Sequence, residues 1–237
     1  MSYTLDPIGI VHSCFTQKFG IPRQPGLASA ATGRLVLLPP YNNPEAVAGL
    51  EGVSHLWIEF IFHEGYSGWK PRVKMPRLGG NKTLGVFATR SPNRPNNLGL
   101  SVVRLIKVEL EPQVCLVLGG VDMLDGTPVV DIKPYLPYAD AIENARNDWA
   151  AAPPALIRVH FSPEAQAQLA VLNDQYPNIA ELATQVLSQD PRPSYQDYTS
   201  ARVYVLRLWD LDIHWRCLAA AAGFVIEVLF CRPVKAD

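Results

Sequence analysis

The sequence predicts a mainly β N-terminal domain, a barrel or a sandwich, followed by a smaller α+β C-terminal domain. Three observations carry this. Short apolar runs punctuated by Pro, Gly and Asn fill the first 138 residues, helical spacing appears only later, and residues 139–154 change character between the two regions. The 237 residues leave room for two domains that each bury a core.

Taken in order, the strand candidates are Ile8–Ser13, Gly33–Leu38, Leu56–Phe62, Thr83–Thr89, Val102–Leu110, Val114–Val121 and Val129–Ile132. Pro39-Pro40-Tyr41-Asn42-Asn43-Pro44, Gly79-Gly80-Asn81, Glu111-Pro112 and Asp125-Gly126 supply the breaks. The clearest strand puts Leu56, Ile58, Phe60 and Phe62 on one face and His55, Trp57, Glu59 and His63 on the other, a core face backed by a polar, aromatic one. Residues 1–138 are thus the first domain, 139–154 a linker, and 155–237 the second domain. Within the latter, Leu156–Phe161 reads as a strand. Ser162-Pro163-Glu164 supplies an N-cap, a first-turn proline and an acid near the positive helix end, opening a helix to about Gln175. A second helix over Asn178–Ser188 carries the stripe Ile179, Leu182, Ala183, Val186 and Leu187. The strands Ala201–Leu208 and Phe224–Phe230 follow.

Several function classes find no support. The net charge of −1 gives no bulk attraction to nucleic acid or membrane. Leu218 to Phe230, 13 residues with Glu227 inside, is too short for a bilayer, which needs about 20 apolar residues. No secretory pattern is visible at the N-terminus, so a cytoplasmic protein is expected. Cys14, Cys115, Cys217 and Cys231 form no C-x-x-C pair and the five histidines no H-x-x-x-H, which argues for reduced thiols and against zinc. Phosphate-binding glycine motifs and G-x-S-x-G are absent.

Charge is segregated instead. From Gly65 to Val108 there is no Asp or Glu, while Lys70, Arg72, Lys74, Arg77, Lys82, Arg90, Arg94, Arg104 and Lys107 fall there, interleaved with Tyr66, Trp69 and Phe87. Such a stretch suits phosphates and unpaired bases; charges scattered over a neutral surface are the alternative that charge alone leaves open. Pro22-Arg23-Gln24-Pro25-Gly26 and the loop from Thr89 to Gly99 are rigid and present guanidinium groups. Asp125-Gly126 is a turn signal. Asp131 interrupts the apolar run Val129-Val130-x-Ile132 and must be solvated, paired with Lys133, or employed, since an unpaired buried carboxylate costs several kcal/mol.

Together these segments resemble one family. Pro22 to Gly26, Ser54-His55-Leu56-Trp57-Ile58, Pro76-Arg77-Leu78-Gly79-Gly80-Asn81, Gly85 to Ser91, Asp125 to Tyr135 and Asp190-Pro191-Arg192-Pro193-Ser194-Tyr195 are similar, in order, to the TrmO (TsaA-like) S-adenosylmethionine-dependent tRNA (adenine-N6)-methyltransferases. The resemblance implies a small single-sheet β-barrel that is not a Rossmann fold, S-adenosylmethionine as cofactor, and usually a homodimer. It implies methylation of the N6 amine of threonylcarbamoyl-adenosine beside the anticodon, so the tRNA anticodon loop is the expected partner. By the same resemblance, cofactor contacts fall on Arg23, Gln24, Pro25, His63, Glu64, Arg90, Leu100, Asp122, Met123, Leu124 and Asp125. Asp131 and Tyr135 are the candidates to assist or orient the reacting amine, and Arg77, Arg94, Arg192 and Tyr195 the candidates for RNA contact. A non-catalytic RNA-binding barrel, or a methyltransferase with another substrate, are the competing readings. Members often carry Asn-Pro-Ile-Gly or Asn-Pro-Leu-Gly where this chain has Asn96-Asn97-Leu98-Gly99, and the missing proline is expected to loosen the loop.

Overall fold

The computed structural model describes residues 3–65, 68–74, 82–192, 202–220 and 223–234. Alternating inward apolar residues produce β1 (Gly9–Ser13), β2 (Thr32–Leu37), β3 (His55–Ile61), β4 (Arg72–Lys74), β5 (Thr83–Gly85), β6 (Leu98–Glu109), β7 (Cys115–Gly119) and β8 (Thr127–Pro134). Six of them close an antiparallel barrel in the order β1-β2-β7-β6-β3-β8, with β8 pairing back onto β1. That closure decides for the barrel over the sandwich. Val11, Leu35, Leu56, Ile58, Phe60, Leu116 and Val129 fill the interior. A barrel this narrow is packed with side chains, so ligands must bind at its ends or outside.

A register shift between Glu59 and Phe60 accounts for the apolar run that Asp131 interrupts. Phe60 lies opposite Val129 and Glu59 opposite Asp131, so Val130 is the extra residue of a bulge and Asp131 is turned outward. The expected strand Thr83–Thr89 is shorter than predicted. It stops at Gly85 and gives way to a 3-10 turn, Val86–Ala88, because Val86 is buried and its N–H donates to the Pro71 carbonyl, 3.0 Å. β4 and β5 pair only with each other, as a ribbon outside the barrel.

After a single turn, α1 (Pro137–Asp140), residues 141–158 contain no helix or strand. The C-terminal unit comprises β9 (Val159–Phe161), α2 (Pro163–Leu172), α3 (Ile179–Leu187), β10 (Tyr204–Leu208), β11 (Leu211–Ala220) and β12 (Gly223–Pro233), with sheet order β10-β11-β12-β9. The Ser162 hydroxyl caps α2 by accepting from the Ala165 N–H, 3.0 Å. α3 begins one residue later than expected, since Asn178 adopts a left-handed φ of 62° and cannot join the helix. Its five expected apolar residues are all buried. β11 is a further strand beyond those expected.

The two units share one continuous set of buried residues. The long segment between β1 and β2 lies on the C-terminal unit. The Trp209 N–H donates to the Cys14 carbonyl, 2.7 Å, the Ala30 N–H donates to Gln185 Oε1, 2.8 Å, and Gln189 Nε2 donates to the Leu27 carbonyl, 3.1 Å. All four cysteines are buried and free, and burial pushes the Cys14 thiol up to about 12. No helix among the described residues is long and apolar enough to cross a membrane.

Candidate functional site at one end of the barrel

Strand direction decides which residues can meet. Because neighbouring barrel strands are antiparallel, the ends of β1, β3 and β7 and the starts of β2, β6 and β8 lie at the same barrel end. Three connections therefore gather there. The β1–β2 segment carries Arg23, Gln24 and Pro25, the β3–β6 segment carries His63, Glu64 and Arg90, and the β7–β8 turn carries Asp122, Met123, Leu124 and Asp125. Leu100, third in β6, stands beside them, 51% exposed.

The contacts are specific. Arg90 Nη1 donates to Gln24 Oε1, joining the first two segments. The Gly26 N–H donates to the Gly120 carbonyl, 2.8 Å, which brings the first against the third. Gly120 has a φ of 71°, and a Cβ there would lie 3.1 Å from the Gly26 α-carbon, so the crossing requires glycine. Asp122 lies between Arg90 and the buried Ser101. Burial pushes its carboxyl up to about 6, against the opposing pull of the Ser101 hydroxyl and the Arg90 guanidinium. Its Oδ1 is buried and has no hydrogen-bond partner among the described residues. A buried acceptor left open beside an exposed arginine can accept a hydrogen bond from a ligand donor.

The rest of the acidic turn is pinned to β1. Asp125 Oδ1 accepts from the Ser13 N–H, 3.0 Å, and lies 3.4 Å from His12 Nδ1, while the Gly126 N–H donates to the Val11 carbonyl, 2.9 Å. Met123 is buried and its carbonyl accepts from the Ser13 hydroxyl, 2.7 Å, so its side chain belongs to the core. The Leu124 carbonyl accepts from the Thr127 hydroxyl, 2.7 Å. His63 reaches over the turn toward Gly126, and Glu64 pairs with Lys18, 3.5 Å.

The loop bearing Arg90 is braced from within. Arg94 Nη1 donates to the carbonyls of Thr89, 2.8 Å, and Ser91, 3.4 Å. The expected loosening at Asn97 is corrected. Its φ of 49° is closed to proline, its N–H donates to the Arg94 carbonyl, 3.3 Å, and its carbonyl accepts from the Phe62 N–H, 2.8 Å.

Asp131 and Tyr135 stand apart from one another. Asp131 accepts from Lys133 Nζ, which also donates to Glu59 Oε1, 3.1 Å, and Glu59 lies opposite Leu100 on the outer barrel face. Asp131 is paired with Lys133 and its side chain is 49% exposed, so it is both paired and solvated. Tyr135 lies past the other end of β8. Its N–H donates to the His55 carbonyl, 2.9 Å, and its ring centroid is 6.1 Å from that of Trp57. Register keeps it near the cluster: His55 lies opposite Arg104 and Arg104 opposite Gly119, where β7 ends, and His55 lines one cavity with Gly26 and Gly120.

Arg192 is a correction among the RNA candidates. It is 3% exposed, forks onto Asp190 through Nε, 2.8 Å, and Nη2, 2.9 Å, and lies over the Phe224 ring at 5.1 Å, which makes it an internal brace and not a surface contact. Arg77 and Tyr195 lie outside the described residues. Sequence reasoning misses Ser101 and Glu59. Ser101 is a lone polar residue in the apolar run of β6, and Glu59 is visible only as part of the polar face of β3.

Comparison with known proteins supplies the family. Residues 10–141 match the tRNA-methyltransferase O N-terminal domain and residues 154–229 the TrmO C-terminal domain. A putative S-adenosylmethionine-dependent methyltransferase RcsF of Pseudomonas aeruginosa is 54% identical over 91% of this chain and 93% of its own length. The tRNA (adenine(37)-N6)-methyltransferase of Escherichia coli K12 is 46% identical over 96% and 98%. The crystal structure of TrmO from Pseudomonas aeruginosa superposes with a TM-score of 0.83 at 46% identity, covering 98% of this chain and 99% of that one. The chain belongs to the TrmO family.

Proposed function

We infer that this protein transfers a methyl group from S-adenosylmethionine to the N6 amine of adenosine 37 in tRNA, and that the acceptor is the threonylcarbamoyl form of that base. One observation carries the reading. Gln24, Arg90 and Asp122 converge from three connections at one barrel end, in a chain that aligns end to end with a tRNA (adenine(37)-N6)-methyltransferase.

The residues suit the cofactor. Asp122 offers a buried carboxylate oxygen for an amino or hydroxyl donor, Arg90 a fork for a carboxylate, and Leu100 an exposed apolar surface. Arg23, Pro25, His63, Glu64, Leu124 and Asp125 lie on the three connections around them, where Met123, its side chain in the core, offers only backbone. The cofactor supplies an electrophilic methyl on a sulfonium, so the protein's contribution is chiefly alignment of the in-line displacement. The carbamoylated amine is a poor nucleophile with an acidic N–H, and a hydrogen-bond acceptor helps as the proton leaves. Asp131, held by Lys133 and two strands from Leu100, is our candidate for that acceptor. Tyr135 adjoins His55, which lines a cavity with Gly26 and Gly120, and is our candidate to orient the substrate.

The protein is expected to form a homodimer, because Leu98 and Leu100 expose apolar surface on the outer face of β6. The anticodon loop is single-stranded, so presenting its base costs little, and a cytoplasmic location follows from the substrate. Arg94 remains a candidate for phosphate contact through the part of its guanidinium not bracing the loop.

The test uses radiolabelled S-adenosylmethionine and tRNA prepared with and without the threonylcarbamoyl group, with sedimentation reporting the oligomer. Label is expected only in the modified tRNA, and Asp131→Asn should lower kcat with little change in KM. Binding of the cofactor with no label in either RNA would move the acceptor elsewhere. Full turnover in both Asp131→Asn and Tyr135→Phe would remove these residues from the mechanism.

A further inference from the structure

The β4–β5 ribbon projects outside the barrel, and nothing in the cofactor cluster accounts for it. Arg72 pairs with Gly85, Val73 with Leu84 and Lys74 with Thr83. The root is firm. Val86 is 1% exposed, and Arg72 donates through Nε to the Thr83 hydroxyl and through Nη2 to the Thr83 carbonyl, both 3.1 Å. Two large rings nevertheless stand in solvent at that root, Trp69 at 51% exposure and Phe87 at 74%. Lys70, Arg72, Lys74 and Lys82 are exposed around them, and no acidic residue occurs from 65 to 108.

A single exposed aromatic is ordinary. Two flanking one small ribbon, among the exposed cations Lys70, Arg72, Lys74 and Lys82, fit a polyanion that carries flat rings. Single-stranded RNA is that partner: bases stack on aromatic faces while lysines meet phosphates. Position adds to the match. Phe87 precedes Arg90 by three residues, so their α-carbons lie within about 11 Å along the same loop. A base on Phe87 is then a near neighbour of whatever occupies the Arg90 cluster.

We propose that the ribbon is an RNA clamp, in which Trp69 and Phe87 stack on unpaired nucleotides flanking the target adenosine and Lys70, Lys74 and Lys82 hold their phosphates. This rests on the methyl-transfer reading for the identity of the target, and on the ribbon's own chemistry for the contact.

The test is the affinity of the full chain for an anticodon stem-loop RNA, measured as salt is varied, with cofactor binding as a control on the same samples. Trp69→Ala and Phe87→Ala should each weaken RNA binding about tenfold and raise KM for tRNA more than they lower kcat. Phe87→Tyr should restore affinity where Phe87→Leu does not, because a ring is required and not mere apolar bulk. Replacing Lys70, Lys74 and Lys82 by Ala should reduce the salt slope by about 0.7 for each phosphate that is no longer neutralised. Unchanged RNA affinity in the aromatic variants of an enzyme that still methylates tRNA would overturn the clamp and leave the methyl-transfer reading standing. A change in oligomeric state in place of RNA affinity would overturn it in favour of a contact between copies. Tight, ring-dependent RNA binding without methylation would retain the clamp and remove the reading.

Discussion

Asp122 is the residue where stability and the proposed cofactor binding pull apart. Burial raises its carboxyl to about 6, against opposing contributions from Ser101 and Arg90. The neutral acid is therefore favoured more in the folded chain than in the unfolded one, and the carboxyl ionises as pH rises through about 6. A group raised on folding contributes stability that is complete below the unfolded value near 4 and is lost as pH rises through about 6. At pH 8 the ionised carboxylate should destabilise the free protein by about 2–3 kcal/mol. Asp122→Asn should accordingly melt higher than wild type at pH 8, with the difference vanishing near pH 4, while binding S-adenosylmethionine more weakly. Wild-type affinity for the cofactor should rise between pH 5 and 7 if the carboxylate meets a cationic group. Melting curves at the two pH values, with calorimetric titration of the cofactor, read both effects. A variant that melts lower at pH 8 would show that Asp122 is a structural brace.

At the scale of the element, close packing between neighbouring strands sets the tolerance of the barrel. Gly99 of β6 lies opposite Phe60 of β3, and a Cβ there would come within 2.3 Å of the Phe60 ring. Phe60 has little room to retreat, being 4% exposed and edge-on to Phe62 at 5.1 Å. Gly99→Ala should cost about 1–3 kcal/mol in urea unfolding, and Phe60→Leu in the same chain should recover part of it. Purely additive losses would mean the two positions do not share that space. The same elements show what a sequence can disclose. Strand β3 is legible because its buried residues alternate with exposed or half-buried ones without interruption. Strand β11 alternates equally well, burying Leu211, Ile213, Trp215 and Cys217, but the turn that joins it to β10 carries no glycine signal. Trp209 holds a φ of 51° there because its N–H and carbonyl bond to Cys14 and Thr16, partners 193 or more residues away in sequence. The candidate site is legible as separate loops for a similar reason: each segment has local punctuation, whereas their meeting depends on strand direction. Adjacency in one motif suggests that Tyr135 belongs with Asp125, yet that motif runs the length of β8, and it is the register of β3, β6 and β7 that keeps Tyr135 near the cluster.

For the whole molecule, the question is whether the barrel and the C-terminal unit unfold together. Their buried residues form one continuous set, and the β1–β2 segment that carries Gln24 is bonded to α3 and to the β10–β11 hairpin. Gly20 is the tightest point of that contact. Its φ is 90°, and a Cβ would lie 2.2 Å from Leu206 Cδ1, a side chain with no solvent exposure. Wild-type protein should therefore show one calorimetric transition whose measured and van't Hoff enthalpies agree. Gly20→Ala adds left-handed strain to a steric clash, together about 2–4 kcal/mol, which for a chain of this size lowers the melting temperature by on the order of 10 °C. Because the same segment positions Gln24 against Arg90, the variant should also bind S-adenosylmethionine more weakly, although Gly20 lies among C-terminal side chains. Two separate transitions in the wild type would show the units to be independent. A single transition together with unchanged cofactor affinity in Gly20→Ala would show that docking stabilises the fold without shaping the site.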